Sequence, residues 1–196
     1  EWPGAHLSDL LRLGLLWKFG GWYTDSDTIC LRSVMGFKNV ISLGTSNKIN
    51  SAVINFDKEH SFLRRCIDVI SRRYNPKYYI TAVGHMQEQT WRACNASVKT
   101  LNTLPDAVPN PCPDFSVLPQ NIFFPYDWNN AFRPMVENSM NEEAASIFNL
   151  SYAIHFANGR TGVRAVGFGK NTMYEEAWRR YCPVTYHNLP KRDVVF

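Results

Sequence analysis

Apolar and polar positions along the chain divide it into alternating helical and extended segments. Leu7, Leu10, Leu11 and Leu15 recur at helical spacing, so a helix is expected over residues 7–19. Ser8 stands near its cap, and Gly20-Gly21 stop it, because glycine takes the left-handed turn at which helices end. A short strand through Trp22-Tyr23-Thr24 follows. The runs Val40-Ile41-Ser42-Leu43 and Ala52-Val53-Ile54-Asn55-Phe56 predict two further strands, with Gly44, Asn47 and Asn50 marking the turn between them. Phe62, Leu63, Cys66, Ile67 and Ile70 form the inner face of a helix over residues 60–74, closed by Asn75-Pro76. Residues 79–94, 142–148 and 173–181 read as helices, and strands are expected near Val117, at 122–124 and at 152–156. Pro105, Pro109, Pro111, Pro113 and Pro119 make residues 101–119 a surface loop. The alternation of the two element types implies an α/β fold.

Composition narrows the class. At 196 residues and 45% hydrophobic content the chain can bury a sizeable core as one domain, and 19% charged residues are too few for a disordered tail. The net charge of +4 is spread along the chain, so no clustered basic footprint for nucleic acid is present. No run approaches the ~20 apolar residues of a membrane helix. The five cysteines form no CxxC pair or zinc-type spacing. Asn95-Ala96-Ser97 and Asn149-Leu150-Ser151 are glycosylation acceptor sequons, and together with the cysteines they fit an oxidising, lumenal setting. Cys94, Cys112 and Cys182 are the candidates for disulfides, with connectivity open. Cys30 reads as a small buried apolar residue.

The chemistry concentrates after the first helix. Asp25 and Asp27, one residue apart at the end of the short strand, can lean toward one cation, as side chains two positions apart share a strand face. Oxygen ligands that leave water in the cation's shell suit the grip on a diphosphate. A DxD also occurs in solvated loops that hold nothing. Asp9 and Arg12, three apart on one face of the preceding helix, lead into this motif; such a pair is also an ordinary surface ion pair. His155 closes a later strand before Ala157-Asn158-Gly159-Arg160, where a neutral imidazole could complete a carboxylate metal site or simply fill a core position. Phe123-Phe124-Pro125-Tyr126-Asp127-Trp128 offers aromatic faces for a sugar ring, though most such residues are core. Asp25-Ser26-Asp27-Thr28 also fits the Asp-x-Asp-x-Thr string of haloacid-dehalogenase phosphatases. That class needs a longer apolar strand before the motif and a later Lys and Asp pair, which the sequence lacks.

The block from His6 to Arg12, followed by Leu16-Trp17-Lys18-Phe19-Gly20-Gly21-Trp22-Tyr23-Thr24-Asp25-Ser26-Asp27, resembles the DxD sugar-binding region of the α-1,4-glycosyltransferases. Weaker likenesses continue through Asn50–Phe56, Gly84-His85, Leu118-Pro119 to Phe124-Pro125-Tyr126, Tyr152-Ala153-Ile154-His155 and Arg180-Tyr181-Cys182-Pro183, covering nearly the whole chain. The resemblance implies a retaining hexosyltransferase with a GT-A-like mixed sheet flanked by helices. It divides the chain into a donor-sugar-binding region, 1–100, and a C-terminal α-1,4-glycosyltransferase region, 101–196. Carried over by position, Asp9, Arg12, Tyr23, Asp25, Asp27 and Asn50 would bind a UDP-sugar donor. Asp25, Asp27 and His155 would hold a divalent cation, usually Mn²⁺. No residue is assigned as a catalytic nucleophile. The acceptor would be a glycolipid or glycan, and the setting the Golgi lumen, as part of a type II membrane protein.

Two departures qualify the likeness. Met86-Gln87-Glu88-Gln89-Thr90-Trp91 stands where relatives continue with a Gly-Pro pair, and Ala157 stands where they place Trp. The chain opens at Glu1-Trp2-Pro3 without the anchor, stem and nucleotide-base-binding strands usual for the family, so it reads as a piece of such a protein. The alternative is a truncated, inactive paralogue that binds sugar nucleotide or serves as a scaffold.

Overall fold

The computed structural model describes residues 4–77, 81–95, 112–157, 165–166, 168–188 and 194–195. Its elements run α1 (Gly4–Phe19), β1 (Gly21–Thr24), β2 (Thr28–Cys30), β3 (Val40–Leu43), β4 (Ile49–Phe56), α2 (Ser61–Arg73), α3 (Thr81–Cys94), β5 (Ser116–Leu118), α4 (Gln120–Phe123), α5 (Glu142–Leu150), β6 (Ala153–His155), β7 (Ala165–Val166), α6 (Met173–Tyr181), α7 (Pro183–Asn188) and β8 (Val194–Val195). The chain divides into two compact units, one of residues 1–24 and 35–119, the other of residues 25–34 and 120–196.

The first unit carries a four-stranded mixed sheet in the order β1-β4-β3-β5. Strand β4 is antiparallel to β1 and β3, and β5 runs parallel to β3. All four residues of β3 and seven of the eight in β4 are buried, so their apolar residues fall on both faces instead of alternating, with Ser42, Ser51 and Asn55 as buried polar members. Helices α1, α2 and α3 pack together, and Leu13, Leu16, Phe56, Phe62, Leu63 and Met86 sit in their shared core. Helix α2 follows the expected pattern: Phe62, Leu63, Cys66 and Ile70 are buried, and His60 caps the helix by accepting the Phe62 N–H. Burial pushes the Cys66 thiol up to about 12, so it is an inert core group.

The leucines that mark α1 in the sequence are not its buried face. Its buried residues are His6, Arg12, Leu13 and Leu16, while Leu7, Leu11 and Leu15 are half exposed and Phe19 is 65% exposed. Leucines lie almost all round this helix, so spacing alone gave no unique inner face. The stop held. Gly20 and Gly21 both have positive φ, the Gly20 N–H donates to the Leu16 carbonyl, and a Cβ on Gly20 would lie 2.6 Å from the Lys58 nitrogen. Helix α3 runs unbroken through residues 86–91. Met86 is in the core, and Gln87 Oε1 accepts the Ile49 N–H at 2.7 Å, tying the helix to β4.

Cys94 at the end of α3 is bonded to Cys112, closing a loop of sequence separation 18. Most of the expected 101–119 loop, and Ala96 and Ser97 of the first sequon, lie outside the described residues. Removing this crosslink with Cys94→Ser plus Cys112→Ser is expected to cost about 3 kcal/mol, from the loop-closure entropy of a loop this size. Urea unfolding of the double variant against the oxidised protein checks it.

In the second unit β2 and β6 form an antiparallel ribbon whose inner residues, Ile29 and Ile154, meet Phe148 of α5 and Met173 and Ala177 of α6. Asn141 caps α5 through the Ala144 N–H, and Thr172 caps α6 through the Glu175 N–H. Both are side-chain oxygens satisfying the free donors of a helix start. Glu176 of α6 is held by Arg179 and Arg180, and these contacts keep its carboxyl below the usual range.

Residues 122–124, expected as a strand, belong instead to helix α4 and its exit. Phe123 and Phe124 are buried either way, and a three-residue apolar run does not distinguish the two states. Helix α7, with proline at its first position, and the two-residue β7-β8 ribbon were not anticipated. Cys30 is exposed rather than buried, since its neighbours Ile29 and Leu31 take the inward positions of the strand. Cys182 is a free thiol. No helix among the described residues is long and apolar enough to cross a membrane.

Candidate metal centre

Asp25 and Asp27 lie in the turn between β1 and β2, not on the pleat of a strand. A second element therefore has to bring their side chains to a common point. That element is β6. Its register pairs Thr28 with His155 and Ile29 with Ile154, and the Phe156 N–H donates to the Asp27 carbonyl at 2.9 Å. The backbone of Asp27 is thus fastened beside the strand end that carries His155. Its imidazole Nε2 stands 3.1 Å from Asp27 Oδ1 and 3.9 Å from Asp25 Oδ2.

One ligand atom from each of Asp25, Asp27 and His155 lies within 4.8 Å of the others. A hard cation about 2.1 Å from each donor separates opposite ligands by about 4.2 Å, so small side-chain rotations close this set on an ion. Two carboxylates and one imidazole, with room for water, form a donor set for a divalent metal of the Mn²⁺ or Mg²⁺ kind. The side chains are 25%, 13% and 11% exposed in the order Asp25, Asp27, His155, so solvent reaches the site without flooding it. Phe124 meets the His155 ring edge-on at 5.8 Å. Behind the strand, Phe156 contacts Tyr174, whose phenol is pushed up to about 12, first by burial and further by the Asp27 charge.

A separate polar cluster occupies the first unit. Arg12 is 6% exposed. Its Nη1 donates to the Ser51 carbonyl at 2.9 Å and to Ser51 Oγ at 3.0 Å, and its Nη2 donates to Ser8 Oγ at 3.3 Å and pairs with Asp9 at 3.1 Å. The Tyr23 ring lies 4.6 Å from the guanidinium carbon. Arg12 is therefore a tether, joining Asp9 on α1 to β1 and β4. Asn50 is the expected site residue that this cluster leaves out. Its Oδ1 accepts the Ala52 N–H at 2.8 Å, and its side chain fills the space a Cβ on Gly44 would need.

Three neighbours of these clusters were not anticipated. Ser51 is 3% exposed; standing next to Asn50 at the polar start of β4, it carried no distinctive signal. Phe124 was noted only as part of an aromatic run. Thr28 became visible only through the strand register. Asn95 and Asn149 of the two sequons are both exposed.

The first unit has a mixed sheet flanked by helices and the second a DxD turn closed by a histidine; this mixed α/β architecture is that of a GT-A-like glycosyltransferase, and the comparisons agree. Residues 1–52 match the glycosyltransferase sugar-binding region containing the DXD motif, and residues 55–189 match the alpha 1,4-glycosyltransferase conserved region. The chain belongs to the α-1,4-glycosyltransferase family. It is similar to the lactosylceramide 4-alpha-galactosyltransferase of Rattus norvegicus, 29% identical over 93% of this chain and 49% of that protein. The Homo sapiens protein of that name is 26% identical over 93% of this chain and 50% of its own length. The Homo sapiens alpha-1,4-N-acetylglucosaminyltransferase is 29% identical over 94% of this chain and 52% of its own length. The chain thus spans about half the length of these relatives. No solved structure matches it.

Proposed function

We propose that the chain carries the metal- and donor-binding part of a retaining hexosyltransferase. Its reaction moves a hexose, galactose by analogy with the lactosylceramide 4-alpha-galactosyltransferases, from a UDP-sugar to a glycolipid or glycan acceptor in α-1,4 linkage, within glycosphingolipid synthesis. The observation that carries the reading is the convergence of Asp25, Asp27 and His155 from two separate chain segments. Bound there, Mn²⁺ would neutralise the charge of the departing diphosphate.

Residues of each unit are suited to a part of this reaction. Asp25 and Asp27 supply the negative charge and His155 the neutral nitrogen, while Phe124 shields one side of the imidazole. Asp9, held in place by Arg12, is suited to accept hydroxyl hydrogen bonds from the donor sugar, and Tyr23 covers the guanidinium that holds it. Ser51 belongs to this donor-binding group as a support, and Asn50 serves the turn beside Gly44. The acceptor hydroxyl attacks the anomeric carbon on the face the diphosphate leaves, its proton passing to the leaving phosphate oxygen, so configuration is retained. The exposed Asn95 and Asn149 fit N-glycosylation on the secretory route to the Golgi lumen, and a type II membrane anchor would lie outside the sequence.

Titration calorimetry with UDP tests the site, with and without Mn²⁺. Heat of binding that requires Mn²⁺ and disappears in Asp25→Asn is the expected result; equal binding without metal would overturn the reading. A panel of UDP-galactose, UDP-glucose and UDP-N-acetylglucosamine, scored by Mn²⁺-dependent binding, then assigns the sugar, with UDP-galactose expected to bind tightest.

A further inference from the structure

We propose that Thr28 is a positioning residue for His155: its hydroxyl accepts the Nδ1–H of the imidazole and so presents the Nε2 lone pair to the ion held with Asp25 and Asp27. The inference rests on the metal-centre reading above and concerns a residue outside the DxD and histidine set.

Three observations carry it. The Phe156 N–H bonds the Asp27 carbonyl and the Leu31 N–H bonds the Tyr152 carbonyl. With the β2-β6 register, this makes Thr28 and His155 a directly opposed pair without mutual backbone hydrogen bonds. In such pairs the side chains share one face with Cα atoms about 4.5 Å apart, the closer of the two pair types. Second, Thr28 Oγ1 is buried and has no hydrogen-bond partner among the described residues. A buried hydroxyl left unpaired is costly, so it marks a position where a partner is missing. Third, His155 directs Nε2 toward both aspartates, and no hydrogen bond to its Nδ1 occurs among the described residues.

The orphaned hydroxyl and the imidazole therefore belong to directly opposed residues of one rung, with no hydrogen bond between them before an ion is held. Their neighbours on this face are Cys30, whose thiol is a weak hydrogen-bonding group, Ala153, which is apolar, and Phe124, which presents only its ring. Holding a cation on Nε2 requires the tautomer with the proton on Nδ1, and that tautomer needs an acceptor where Thr28 stands.

Thr28→Val keeps the shape and removes the hydroxyl, whereas Thr28→Ser keeps the hydroxyl. Mn²⁺ affinity is read by electron paramagnetic resonance of the free ion, and the His155 tautomer by ¹⁵N-edited NMR of protein saturated with diamagnetic Mg²⁺. Thr28→Val is expected to weaken Mn²⁺ binding about tenfold or more and to lose a protected Nδ1–H resonance. Thr28→Ser should keep both near the wild type. A folded Thr28→Val with wild-type Mn²⁺ affinity would overturn the assignment while leaving the metal centre intact. Wild-type protein that takes up no Mn²⁺ would overturn the metal reading and this one with it. If Thr28→Val does not fold, the wild-type Nδ1–H signal decides: its presence supports the assignment and its absence refutes it.

Discussion

Asp27→Asn is expected to remove Mn²⁺ binding almost entirely, by more than about 100-fold, since even outer-shell partners of a metal ligand are worth 10- to 100-fold. Asp27 is the better anchored of the two carboxylates: its backbone carbonyl accepts the Phe156 N–H, and its Oδ1 is the oxygen closest to His155 Nε2. The substitution keeps the side-chain shape and lowers the charge of a site whose carboxylates face each other, so the metal-free protein should unfold within about 1 kcal/mol of the wild type. The difference should emerge when metal is added. At a hundred times its dissociation constant, a ligand that binds only the folded state stabilises it by about 2.7 kcal/mol. Thermal unfolding with and without Mn²⁺ should therefore show an upward shift for the wild type and none for the variant. An equal shift in both would remove Asp27 from the site.

Arg12→Leu is expected to destabilise the first unit by about 3 kcal/mol, the scale set by breaking a buried ion pair from one side. The leucine retains much of the volume but leaves the Ser51 carbonyl, Ser51 Oγ, Ser8 Oγ and Asp9 without the donors that Arg12 supplies. Asp9 keeps 16% of its side-chain surface, and that access to water holds the cost toward the lower end of the range. Arg12→Lys should recover only part of the loss. One ammonium cannot reproduce a planar fork that reaches Ser51 from one nitrogen and Ser8 and Asp9 from the other while lying against the Tyr23 ring. Urea unfolding followed by tryptophan fluorescence measures both variants. A change below about 1 kcal/mol for Arg12→Leu would mean that the guanidinium is not the tether its contacts describe.

Features governed by short-range chemistry were legible in the sequence. The Gly20-Gly21 stop, the inner face of α2 and the limits of α6 each follow from two or three residues whose preference is unambiguous, and the structure agrees. The acidic pair and His155 were also found as candidates, because carboxylate and imidazole groups near turns are chemically conspicuous. Their assembly was less visible. A strand was expected to align Asp25 and Asp27, whereas a turn positions them and β6, more than 120 residues later in the sequence, supplies the third ligand. Register between distant strands depends on the whole core, so Thr28 opposite His155 could not be read from local pattern. The inner face of α1 failed for the opposite reason: with leucine on nearly every side, only the packing of Leu13 and Leu16 selects the buried one.

The account depends on one ion bound by three named side chains. Anomalous diffraction at the manganese edge, from crystals of this chain grown with Mn²⁺ and UDP, locates it directly. The expected result is a single strong peak within about 2.5 Å of an oxygen of Asp25, an oxygen of Asp27 and Nε2 of His155. A peak bound elsewhere, or UDP bound with no manganese at this turn, would contradict it.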